Sequence, residues 1–153
     1  MKTARMYRNT LLVIHIIGVA AWLGANCTQL FLAPWFAQRS STDHIAWIEA
    51  SETLGRRYYN VAGMVIGLTG VLLVLETGFD WSAGFVAVGI SVIVIGAMLG
   101  IFVFTKLANQ QAELVRLGDP AAKAIGTKIA AFAVLDTALV ITAVVAMVTK
   151  WAA

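Results

Sequence analysis

Charge is scarce in this chain. Only 12% of its residues are Asp, Glu, Lys or Arg, about half the share of an ordinary soluble domain. That shortage excludes a water-facing surface over most of the chain. The net charge of +3 is small and scattered over short basic flanks, which excludes a nucleic-acid-binding face. Cysteine occurs once, as Cys27 inside the first apolar stretch, so no intrachain disulfide can form and the residue reads as a small packing group. Only two prolines occur, Pro34 and Pro120, and no apolar stretch is broken by one before its exit. No internal repeat is evident, so nothing points to a transporter built from two inverted halves.

What remains is apolar. Hydrophobic residues make up 60% of the 153, and four stretches are long enough to cross a bilayer as helices: residues 10–35, 58–75, 85–105 and 129–148. Backbone exposed to lipid must satisfy its own hydrogen bonds, so these stretches are expected to be helical. The fold class is all-α, an integral membrane four-helix bundle in a single domain. Lys2, Arg5 and Arg8 ahead of an apolar run also resemble a signal peptide. The run, however, continues past Cys27 to Phe36, and we read it as a retained span.

Four crossings put both termini on one side, side A. Residues 76–84 form a short turn there, with Gly78, Gly84, Phe79 and Trp81. Residues 36–57 lie on side B. Asp43 is the expected N-cap of an amphipathic segment carrying Ile45, Trp47, Ile48 and Leu54, an interfacial helix between spans 1 and 2. His44 belongs to that segment and reads as a surface residue. Residues 106–128, also on side B, read as an extended hairpin between spans 3 and 4. The third helix continues through Leu107 and Leu114 and stops at Gly118, and Asp119-Pro120 starts the fourth. The hairpin arms would project roughly 15–20 Å beyond the bilayer. Side A carries four basic residues and side B seven, which favours side B as cytoplasmic; the membrane expected is the bacterial inner membrane. Gly63/Gly67 and Gly96/Gly100 form GxxxG pairs, which let helices approach closely within the bundle or across a homo-oligomer.

Ionisable groups inside a span are costly and are functional candidates by default. His15 is one. A neutral imidazole offers a nitrogen lone pair to haem iron or another transition metal, and it can equally hydrogen-bond a neighbouring helix or carry a proton. Asp136 is the other. It can pair with Arg56 or Arg57 as they lead into the second span, or act as a buried, protonated acid in proton relay or ligand positioning. Met64 and Met98 are the apparent thioether candidates. At about 1.5 Å per residue, His15 lies about 8 Å from side A, and Met64, Met98 and Asp136 about 20 Å. A His15–methionine haem within one chain is therefore disfavoured. A five-coordinate haem b near side A fits better, with Arg5 or Arg8 available to its propionates; so do two His15 residues meeting across a dimer.

The segment His15-Ile16-Ile17, with Trp22 seven residues after the histidine and then Leu30-Phe31, resembles the opening of HemJ-type protoporphyrinogen oxidases. Arg56-Arg57-Tyr58-Tyr59 is similar to the start of that family's second helix, and Asp136 falls near a polar position of its last. CopD-like copper-resistance proteins share the first-helix pattern. The resemblance covers most of the chain in layout and about a dozen residues in motif. It implies His15 as haem ligand; Trp22 of the same motif, and Arg5 and Arg8 by their depth, are the other candidate cofactor-binding residues, and Arg57 is a further intramembrane polar candidate. The family's lysine early in the third span is replaced here by Gly84, Phe85 and Val86, so oxidase activity does not carry over with it.

The leading expectation is a haem-binding membrane protein with a redox role, exchanging electrons with a quinone or porphyrin. The alternatives are a non-catalytic accessory or assembly subunit of a larger membrane complex, and a small copper or metal transporter.

Overall fold

A chain in hydrocarbon has to close its backbone hydrogen bonds locally. The computed structural model, which describes residues 2–151, is accordingly helical with no strand among the described residues. Helix α1 (Lys2–Ala37) is the first span. Helix α2 (Ser41–Thr53) runs on into α3 (Asn60–Thr77), α4 (Gly84–Met98) runs on into α5 (Thr105–Arg116), and α6 (Ala121–Thr149) is the last span. Four helical stretches are long and apolar enough to cross a membrane. Each of the two composite helices switches to π winding near the side-B end of its span, over Leu54–Tyr59 and Leu99–Phe104.

The helix ends have local causes. Ser40, not Asp43, caps α2: its Oγ accepts from the Asp43 N–H at 3.2 Å, and its hydroxyl donates back to the Asp43 carboxylate at 2.8 Å. Asp43 is thus the N3 partner of a capping box, where its charge favours the first turn. Gly78, at φ 69°, ends α3, and Gly118, at φ 68°, ends the arm of α5; a side chain would be strained at either. In the turn after Gly78, the Ser82 backbone and hydroxyl both donate to Asp80 Oδ1, and these bonds hold its carboxyl below its ordinary range. Asp119 accepts from the Ala121 N–H at 2.8 Å, with Pro120 at the N-cap of α6.

In the bundle α1 packs between α3 and α6, and α6 packs between α1 and α4; the seam between α3 and α4 is the thinnest. The central core is Trp22, Ala62, Ile66, Val92, Val140 and Ala143. A second cluster, Ile48, Ala112, Val115 and Ala122, seats α2 against the α5–α6 arm. At the side-A end Ala83, Phe85, Val86 and Ala146 pack together, and Lys150 Nζ lies 4.3 Å above the Phe85 ring. Trp35, Phe36 and Trp47 cluster at the side-B end of α1, with the Arg39 guanidinium 3.6 Å over Trp35.

Lipid tails are as apolar as leucine, so helix association rests on close packing and interhelical hydrogen bonds. The GxxxG pairs divide on this point. Gly96 and Gly63 face the Trp22 indole: a Cβ at Gly96 would lie 2.9 Å from Trp22 Cζ2, and one at Gly63 would lie 3.1 Å from Cζ3. Gly67 and Gly100 face open space. Gly96 therefore belongs to the bundle interior, and only Gly67 and Gly100 are free for contact with another chain. Gly96→Ala is expected to lower stability by about 1–3 kcal/mol, while Gly100→Ala changes it little. Unfolding titrations in detergent micelles check the pair.

Candidate functional site

One face of α1 carries His15, Trp22, Asn26 and Gln29, spaced seven, four and three residues apart, the repeat of a single helical stripe. All four turn into the bundle, where they build two separate polar sites.

The first is centred on Asp136 of α6, which is 5% exposed. Its Oδ2 accepts from Trp22 Nε1 at 3.0 Å and from Asn26 Nδ2 at 2.8 Å. Asn26 Oδ1 in turn accepts from the Tyr59 hydroxyl at 2.6 Å, and Gln29 Nε2 donates to the Tyr59 oxygen at 2.8 Å. Every donor in the chain Gln29, Tyr59, Asn26 points toward Asp136 Oδ2. Trp22 and Tyr59 also meet edge to face with centroids 5.5 Å apart. The network joins α6, α1 and the start of the second span. No arginine takes part. Arg56 pairs with Glu52, and Arg57 is exposed and forms no ion pair among the described residues. Arg57 stands on the outer face of its helix, beside the α1–α3 groove, and not toward the buried Asp136, so the arginine pairing offered by the sequence does not form.

The second site is centred on His15, 6% exposed. Its Nδ1 lies 3.1 Å from the Ile66 carbonyl oxygen and 2.9 Å from Thr69 Oγ1. A carbonyl oxygen only accepts, so in the neutral ring Nδ1 carries the proton. Thr69 spends its own hydrogen on the Val65 carbonyl at 2.5 Å, which leaves it free to accept from the ring. Nε2 is left with the lone pair and makes no hydrogen bond among the described residues. A ligating histidine is commonly fixed in this way, with its other N–H on a backbone carbonyl.

His15 lines a small interior cavity of about 40 Å³ whose walls are otherwise apolar and include Trp22, Gly89 and Met147. Met147, absent from the sequence reading, is the thioether that shares this space. Its Cε lies 2.6 Å from where a Cβ on Gly89 would stand, so it fills the room that the glycine leaves. The sequence signal was available: Met147 closes the last span at side A, the same end of the bundle as His15. Met64 and Met98, by contrast, are 65% and 55% exposed on outer faces.

Imidazole and thioether together suit haem iron or a soft ion such as Cu(I). The volume discriminates between them. A pocket for a drug-sized ligand runs about 300–1,000 Å³, so the closed bundle does not seat a porphyrin, whereas a bare ion fits. Arg8 and Arg5 are exposed on α1, seven and ten residues toward side A from His15, and neither is hydrogen-bonded among the described residues. Trp22 lines the cavity, but its N–H is committed to Asp136. His44 is half-buried in the arm, its Nε2 3.4 Å from Gln111 Nε2. No group of three or more His, Cys, Asp or Glu positioned to hold a metal occurs among the described residues.

No protein-family model, curated protein or solved structure matches the chain. The arrangement of its own residues is therefore the ground for any functional reading. A double-mutant cycle of Trp22→Phe with Asp136→Ala tests the central bond. The expected coupling is about 0.6–1.7 kcal/mol, the range of interhelical hydrogen bonds in membranes; additive losses would show that the pair does not interact.

Proposed function

We propose that this chain is a metal-binding membrane protein with a redox role, in which His15 Nε2 is the metal ligand. The observation that carries the reading is the pinning of Nδ1 to the Ile66 carbonyl, which leaves Nε2 unclaimed on a residue that shares a cavity with Met147. Haem b is the centre implied by the first helix's resemblance to HemJ-type oxidases, with Arg5 and Arg8 placed for its propionates and a quinone or porphyrin as electron partner. Seating it requires α4 and α6 to part and Met147 to leave Gly89. A single copper ion is the second form of the same reading, favoured by the cavity's size and by the thioether, and in keeping with the CopD-like resemblance. Catalysis is not part of the proposal.

The membrane placement that goes with it has α2 at the interface, the α5–α6 arm extended from side B, and side B in the cytoplasm of a bacterial inner membrane. The open Gly67 and Gly100 positions are the surfaces for a second copy or a larger complex.

Protein purified from haem- and copper-replete cells separates the forms. A Soret band lost in His15→Ala identifies haem. About one copper per chain by elemental analysis, lost in His15→Ala and reduced in Met147→Leu, identifies the ion. A colourless, metal-free protein sinks both and leaves the accessory-subunit reading.

A further inference from the structure

On the outer face of the bundle, between α1 and α3, lies a groove of about 580 Å³. Gly18 and Ala21 of α1 and Ala62 of α3 contribute to its walls, and Ile14 marks its deep end. Gly18 and Ala62 are buried at the floor, where the two helices pack closely, and the exposed Ile17 and Val61 flank the opening. Arg57 and Tyr58 stand at the side-B mouth. The Tyr58 hydroxyl donates to the Ala21 carbonyl at 3.2 Å, which fixes the rim. From Arg57 to Val65 the groove runs about 12 Å along the helix axis, from the interface into the hydrocarbon.

The two neighbouring arginines differ. Arg56 is neutralised by Glu52, one turn earlier. Arg57 forms no ion pair or hydrogen bond among the described residues, yet it stands where a phospholipid headgroup meets the acyl region. A planar guanidinium matches two phosphate oxygens at once, and basic residues at this level attract anionic lipid. A wholly apolar occupant would leave that charge unanswered.

We propose that this groove is a binding site for one anionic phospholipid, its phosphate on Arg57 and an acyl chain along Ile17, Ala21 and Val61. The site is independent of any metal at His15. It opens on the outer side of the α1–α3 seam and uses none of the polar groups inside the bundle.

Native mass spectrometry of the whole protein, released from micelles doped equally with phosphatidylglycerol and phosphatidylcholine, tests it. The wild type is expected to retain one phosphatidylglycerol at least tenfold more often than phosphatidylcholine. Arg57→Gln abolishes that preference, while Arg56→Gln keeps it. Ala21→Phe, which fills the groove, lowers retention of both lipids. Circular dichroism of each variant confirms that it is folded, and a variant that fails to fold is replaced by Arg57→Lys, expected to keep a weakened preference. Equal retention of the two lipids by the wild type overturns the proposal. Equal losses in Arg56→Gln and Arg57→Gln also overturn it, since they would show a diffuse basic attraction rather than a site.

Discussion

A carboxylate inside hydrocarbon has no water to turn to, and the protein must supply its hydrogen bonds from neighbouring helices. Asp136 draws an indole and an amide from α1, and through the amide a tyrosine from the start of the second span. The bond to Trp22 also fixes where the indole lies, and the indole requires glycine at 63 and 96 on its two sides. One acidic residue thereby bears, directly or through the indole it holds, on the spacing of all four long helices. Its cost is of the kind that favours a single register, because sliding α1 by one turn would break all four hydrogen bonds of the network at once.

The polar interior has two levels with different chemistry. Toward side B the side chains answer one another in a chain of four hydrogen bonds that ties α1 to α6 and to the start of the second span. Toward side A the histidine is answered on one nitrogen only, and the space beside it is closed by methionine, the most deformable of the apolar side chains. Capacity for a ligand lies at the second level, and mechanical definition at the first. The outer groove between α1 and α3 forms a third region, outside both, where Arg57 is the one charged residue.

The four long apolar helices were legible in the sequence, because each follows from the length of an apolar run and from glycine and proline near its ends. His15 and Asp136 stood out for their cost in lipid. What surrounds them was less visible. Asn26 and Gln29 share a helical stripe with His15 and Trp22, a pattern open to inspection, but Tyr59 and Thr69 come from another helix whose rotation only packing decides. The arginine partner expected for Asp136 failed for that reason: proximity in depth does not give proximity around the helix axis. Asp43 was mistaken for a cap because a capping box places an acidic residue three positions beyond the true one.

The two π-wound segments, Leu54–Tyr59 and Leu99–Phe104, each lie between a span and its arm. A π turn holds about one residue more than an α turn, and one residue is worth about 100° of rotation. Each segment therefore works as a swivel: the faces that α2 and α5 turn toward one another are set independently of the faces that α3 and α4 turn toward the core. Deleting one residue within either segment would leave span and arm individually intact while pointing them in incompatible directions. The arm and the bundle are thus two packing units that share continuous helices but not a common phase.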